Sequence, residues 1–369
     1  MSTQQDSRLT ETVAVRSYPI AVLAAAGLAW VADRPAYLKV ATAITLLFGL
    51  LVAAISRIIG TPLNLPDERV SLVLGINVVV PLGLAITCYL VTQGILILRG
   101  RAKRSNRQIL GDMANDLILV GLYVAANYLH FNLKMWVPLI NPALFDAAYM
   151  ASDESLRWLV DALAWASTTI RANLNPEFRW YQFLFLTMFV LTFCRFAAVR
   201  NALYPRFAVS MLLMVTLGAL SYLIAPALGP FIYEDGNSVA ATEVQAGMYA
   251  AYQRVQAEGA AWIARNGSDY FTGALAAMPS LHVGYASLMT YYMLKNRDYM
   301  APLFVLFWLW ILVDSVALRW HYAIDAPAGI ALAAVVIWLT NRLLGHSPDS
   351  QANRSGGRPR PATHPTPGA

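Results

Sequence analysis

The sequence predicts an all-α, polytopic transmembrane helical bundle of about nine helices, with an outward-facing amphipathic segment. Three observations carry this expectation. Hydrophobic residues make up 58% of the 369-residue chain and charged residues only 13%, where a soluble domain carries about 25% charged. Mean hydropathy is +0.50. The apolar residues are gathered into continuous runs, several of which approach the roughly 20 residues a bilayer crossing needs. Only helices and closed barrels satisfy their backbone in lipid, and these runs are too long and unbroken for barrel strands.

In chain order, residues 1–17 are polar, with Arg8 and Arg16, and an apolar run begins at Tyr18. Further apolar runs follow at once, so this run reads as an uncleaved first helix and not as a removed signal. The runs fall near residues 18–33, 38–58, 70–98, 114–130, 181–199, 207–225, 277–294, 301–318 and 323–344. They divide the chain into N-terminal transmembrane helices (1–130), an extracytoplasmic interfacial segment (131–180), a transmembrane core (181–346) and a Pro-, Gly-, Ser- and Arg-rich tail (347–369) of disordered composition. Segment 131–180 contains Trp136, Pro138, Trp158, Trp165 and Trp180, and such aromatics favour the membrane interface. Leu156, Leu159, Val160, Leu163 and Ala164 recur at helical spacing, which predicts an amphipathic helix on the outer surface. The long connection near 226–275 opens on the turn-rich stretch Ala225 to Pro230. It reads either as plain packing or as a collar that shapes lipid access.

Formal net charge is +6. In a membrane chain such an excess marks cytoplasmic loops, and nucleic acid is not an expected partner. Arg99, Arg101, Lys103, Arg104 and Arg107 crowd one loop; Arg195, Arg200 and Arg206, then Lys295 and Arg297, then Arg342 and the tail arginines mark later ones. These belong on one side, which places His282 and His321 near the other. Cys88 and Cys194 lie inside apolar runs, with no disulfide framework or zinc spacing.

The chemistry concentrates in the last hydrophobic third. His282 and His321 are 39 residues apart, and two apolar runs of about 18 residues, each about 27 Å as helix, lie between them. One out-and-back hairpin would return both imidazoles to one face. His321 and Asp325 are four apart, so on a helix they share a side, where the carboxylate would fix one imidazole nitrogen and leave the other as nucleophile or base. Pro279 suits a first helical turn, and Ser280 with the free N–H groups beside it would hold an anion. Trp320 and Tyr322 suit an interface. His130 ends an apolar run and reads as an ordinary boundary residue; His346 and His364 lie in or near the tail. Ionisable groups at membrane depth are functional by default.

These residues resemble a known family. Pro279-Ser280-Leu281-His282 is similar to the second motif of the type 2 phosphatidic-acid phosphatase superfamily. His321-Tyr322-Ala323-Ile324-Asp325-Ala326-Pro327-Ala328-Gly329 is similar to its third motif, in the form found in inositol phosphorylceramide and sphingomyelin synthases. The resemblance is specific over about 275–332 and weaker in Lys134–Pro138 and Pro226–Pro230. It implies that His321 attacks phosphorus to form a phosphohistidine, that Asp325 orients it, and that His282 protonates the leaving oxygen and then deprotonates the incoming hydroxyl. It implies no metal and no cofactor, a membrane phospholipid donor, and a lipid or polyol acceptor. The phosphatase branch also has a first motif running from a lysine to Arg-Pro, which has no counterpart here. That branch's Ser-Arg pair before the third-motif histidine is replaced by Asp314 and Ser315. Arg319, two residues before His321, is the candidate to supply the missing guanidinium. These departures favour the synthase branch, with a phosphoinositol-like headgroup as the family analogy. The rivals are a lipid phosphate or polyprenyl pyrophosphate phosphatase using the same trio, and a transporter with Asp116, Arg195 and Asp314 as intramembrane polar groups. The Ala- and Arg-rich character with short loops points to a bacterial inner membrane and a periplasm-facing site. Oligomeric state is left open.

Overall fold

The computed structural model describes residues 34–67, 79–98, 105–175 and 179–345. The expected first helix, the basic residues 99–104 and the tail lie outside them. Among the described residues there are twelve α-helices and no strand: α1 (Ala36–Ile59), α2 (Val79–Leu98), α3 (Asn106–Ile140), α4 (Asp146–Ser155), α5 (Arg157–Ala172), α6 (Trp180–Val199), α7 (Tyr204–Ser221), α8 (Val239–Glu258), α9 (Ala260–Asn266), α10 (Leu281–Lys295), α11 (Ala301–Ala317) and α12 (Asp325–Leu343). Five of them, α1, α3, α6, α7 and α12, are long and apolar enough to cross a membrane, and the Gly83–Ile95 part of α2 and the whole of α11 are shorter apolar helices.

α7 is the axis of the bundle. Thirteen of its eighteen residues are buried, so it is enclosed nearly all round, as a central helix must be. α1, α3, α10 and α12 pack on it. Polar groups add specific ties across the apolar packing: the Ser210 hydroxyl lies 2.8 Å from both Tyr292 of α10 and Thr340 of α12. Interhelical hydrogen bonds of this kind hold membrane helices in register. Outside this core, Leu46, Leu47 and Leu50 of α1, Leu306 of α11 and Trp338 of α12 are exposed, which gives the bundle an apolar outer belt.

The basic loops converge. Arg195 pairs with Asp298 at 2.6 Å, Asn201 meets Asn296 at 2.5 Å, and Arg206 bonds Asn341 at 3.2 Å. The ends of α6, α10 and α12 and the starts of α7 and α11 therefore share one end of the bundle. His282 and Asp325, at the opposite ends of α10 and α12, share the other.

Two predicted elements differ in extent. The run near 114–130 is the middle of a longer helix, α3, which opens on a reciprocal Ser105–Gln108 cap and continues to Ile140. Hydropathy loses it because Asn132 and Lys134 interrupt the pattern, yet Asn132 finds partners in the backbone of Asn64. The amphipathic helix exists as α5: Val160, Ser167 and Arg171 are buried, Trp158 and Trp165 are exposed, and the helix packs along α11.

Candidate active site

α11 ends where Arg319 takes a positive φ of 57°, a backbone state uncommon outside glycine and one that reverses the chain direction. His321 follows in a non-helical turn, with its N–H donating to the Ser315 carbonyl at 3.0 Å. The expected shared helical face of His321 and Asp325 is thus corrected: α12 begins at Asp325, and a turn, not a helix, brings the two together. The contact is made all the same. His321 Nδ1 lies 2.8 Å from the Ala277 carbonyl and 3.2 Å from Asp325 Oδ2. A carbonyl oxygen and a carboxylate only accept, so the proton sits on Nδ1 and Nε2 carries the lone pair. Asp325 is fully buried, and Oδ2 also accepts from the Tyr322 N–H at 3.0 Å.

His282 occupies the first turn of α10. Pro279 precedes this helix through a cis bond to Met278 and is not in its first turn. Ser280 is the N-cap; its hydroxyl accepts from the Val283 N–H, and its own N–H donates to the Asp325 carbonyl at 3.1 Å. That last bond ties the start of α10 to the start of α12. Their close approach depends on Gly284 and Gly329: a Cβ at Gly329 would lie 2.2 Å from the Ser280 carbonyl oxygen, and one at Gly284 2.2 Å from Met214. The result is a His282–His321 ring separation of 6.1 Å. The His282 ring packs on Tyr181 and Phe185, at 5.0 and 4.6 Å, and makes no hydrogen bond to other described residues.

Both histidines line a cavity of about 230 Å³. α3 adds Asn127, His130 and Lys134 to the same lining, and α6 adds Phe185 and Phe189. The 226–275 connection closes over it with Leu228, Met248 and Thr272. His130, read from sequence as a boundary residue, is therefore a cavity residue, its Nδ1 donating to the Val215 carbonyl at 3.0 Å. Lys134 has no anionic partner among the described residues; its ammonium lies 5.5 Å from the Tyr222 ring centre. Asn127, His130 and Lys134 stand at i, i+3 and i+7, so a polar stripe on an otherwise apolar helix was the signal that could have found them.

Ser280 and Arg319 do not line this cavity. The Arg319 guanidinium is held by Asp153 at 3.1 Å and by Glu234, and its left-handed backbone directs it toward α4. Tyr322 is fully buried instead of interfacial, and its hydroxyl donates to Asp146 at 2.8 Å. The polar groups of the transporter reading are also paired. Asp314 meets Arg171 at 2.6 Å and Ser167 at 2.7 Å; Asp116 accepts from Tyr89 at 2.6 Å, Tyr204 at 2.5 Å and Arg200.

Fold and site together define a helical integral membrane protein with a histidine-lined cavity at one end of its bundle. Residues 158–339, just under half the chain, match the family model described as the PAP2 superfamily. That match supports the resemblance to the type 2 phosphatidic-acid phosphatase superfamily, whose members are generally phosphatases or phosphotransferases. It takes in His282, His321 and Asp325 and begins within α5, so α1 to α4 and Lys134 lie outside it. No curated protein and no solved structure matches the chain.

Proposed function

We propose that the chain is a membrane phosphotransferase that moves a phosphorylated headgroup from a phospholipid to a lipid or polyol hydroxyl. The observation that carries this is the pair of imidazoles across one cavity, one with its Nδ1 proton committed to Ala277 and Asp325 and the other free of hydrogen bonds. In the first step His321 Nε2 attacks phosphorus, the bond from phosphorus to the diacylglycerol oxygen breaks, and protonated His282 gives that oxygen its proton. In the second, neutral His282 takes the proton of the acceptor hydroxyl, whose oxygen attacks phosphorus and breaks the N–P bond. His321 and His282 both end as they began. Splitting one displacement into two is what a covalent intermediate contributes. Asp325 supports the positive charge that develops on His321.

Lys134 supplies the cation for the phosphate oxygens, a role that Arg319 cannot fill while two carboxylates hold it. Phe185 and Phe189 make the cavity wall apolar beside the histidines, which suits the acyl part of a lipid. The form of the third motif supports, by family analogy, a phosphoinositol-like headgroup and a ceramide-like acceptor, and the basic loops at the opposite end support an outward, periplasm-like exposure of the site.

The test is to incubate the purified protein with a headgroup-labelled phospholipid and with labelled lipid phosphate, each with and without an acceptor alcohol. Label transferred to the acceptor supports the phosphotransferase. Free phosphate without transfer makes the protein a lipid phosphatase working through the same histidines. No turnover in any arm removes the reading.

A further inference from the structure

The superfamily match starts at residue 158, yet the turn that carries His321 is gripped by a helix that precedes it. α4 presents two buried carboxylates seven residues apart, two turns along one face. Asp153 is fully buried; one oxygen accepts from the Ala323 N–H at 2.8 Å and the other from Arg319 at 3.1 Å. Asp146, 3% exposed, accepts from the Tyr322 hydroxyl at 2.8 Å, from the Leu228 N–H at 2.9 Å and from the Gly229 N–H at 3.0 Å. Residues on both sides of His321 are thus bonded to α4. Glu234 extends the grip by joining Arg319 to Arg157, the latter at 2.9 Å.

This arrangement is costly unless it serves a position. A carboxylate taken out of water carries a desolvation penalty, and burial pushes the Asp153 carboxyl upward from its usual range while the Ala323 N–H and Arg319 oppose that shift. An apolar contact would cover the turn equally well. What a carboxylate adds is direction, because each bond fixes one donor at one point. The segment from Arg319 to Ile324 has no helical ladder of its own to do so.

We propose that α4 is a brace for the nucleophile: Asp146 and Asp153 are positioning residues that hold residues 319–323, and through them His321, without touching substrate. The catalytic consequence rests on the reading of His321 given above; the mechanical one does not.

The experiment uses the full chain in lipid nanodiscs and three variants: Asp153→Ala, Asp153→Asn and Tyr322→Phe. Amide exchange of the peptide spanning 318–325 is measured with no substrate present, and kcat and KM are measured on the lipid that the wild type turns over. Asp153→Ala is expected to raise exchange in that peptide on the order of tenfold and to lower kcat roughly 10–100-fold with little change in KM. Asp153→Asn, which keeps an oxygen for the Ala323 N–H, is expected to restore part of kcat. Tyr322→Phe removes one hydroxyl only and decides the matter if Asp153→Ala does not fold; a kcat loss of a few-fold at unchanged KM and Tm supports the brace. Wild-type exchange and wild-type kcat in a folded Asp153→Ala overturn it, as does wild-type kcat in Tyr322→Phe when Asp153→Ala fails to fold. A wild type inactive on every phospholipid and every lipid phosphate overturns the catalytic reading, while the exchange data still answer for the brace.

Discussion

Substituting Gly329 by alanine tests how the two halves of the site are brought together. The added Cβ would lie 2.2 Å from the Ser280 carbonyl oxygen, where ordinary contact begins at 3.4 Å. The obstacle is backbone, not the end of a flexible side chain, so α10 and α12 must part by about 1 Å. Two effects compete. Alanine in a helix interior favours the folded state by about 1 kcal/mol over glycine, while forced overpacking typically costs about 1–3 kcal/mol. Overpacking wins here, because relief requires breaking the Ser280–Asp325 backbone bond that joins the two helix starts. The net loss of stability is expected to reach about 2 kcal/mol at most. The activity loss should be larger in proportion, since His282 rides on one helix start and Asp325 on the other, and a misplacement of about 1 Å can cost roughly 100-fold in rate. The assay is phosphotransfer turnover beside thermal unfolding in the same detergent, with Gly121→Ala of α3 as control, where an added Cβ meets nothing within 4 Å. Full turnover in Gly329→Ala would refute the claim that close packing of α10 on α12 sets the histidine separation.

Three further outcomes follow from the geometry. Lys134→Met should raise KM for an anionic lipid about 10-fold or more, as expected for loss of a charge-assisted bond, and Lys134→Arg should recover part of it; unchanged KM in Lys134→Met would leave the phosphate contact unassigned. Asp314→Ala removes the buried carboxylate that Arg171 and Ser167 both bond and should cost about 3–5 kcal/mol in a denaturation series, whereas the double variant Asp314→Leu with Arg171→Met should cost much less. His282→Ala should lower kcat by roughly 10²–10⁴-fold, and a donor with a leaving group that needs no proton should restore the first step, read as a burst of released leaving group, while transfer to the acceptor stays slow for want of the base.

Much of this was legible from the chain. α1, α6, α11 and α12 coincide with their apolar runs because their charged residues, such as Lys39 and Arg57 of α1, Arg195 of α6 and Asp314 of α11, lie near the helix ends. The meeting of His282 with His321 was legible as well, because a hairpin of two spans has few places to return. What escaped was set by tertiary contacts. Asn127, His130 and Lys134 gain their meaning from a cavity built by distant segments, with His130 bonded to the Val215 carbonyl and Lys134 beside the Tyr222 ring. Arg319 was drawn to phosphate by its nearness to His321 in sequence; its positive φ and two carboxylates, Asp153 and Glu234, draw it away. Pro279 looked like the start of a helix, but Ser280 caps α10 one residue later. The role of α4 had no sequence signal, since Asp146 and Asp153 resemble ordinary surface acids until the turn at 319–323 is seen to lie on them.

The residue to which phosphorus becomes attached decides the mechanism most directly. The protein should be mixed with a donor lipid labelled at phosphorus, quenched in base within one turnover, and the labelled peptide mapped by mass spectrometry. The label is expected on His321, acid-labile and base-stable, and absent from His321→Ala. Label on any other residue, or a labelled His321→Ala, would contradict the central claim.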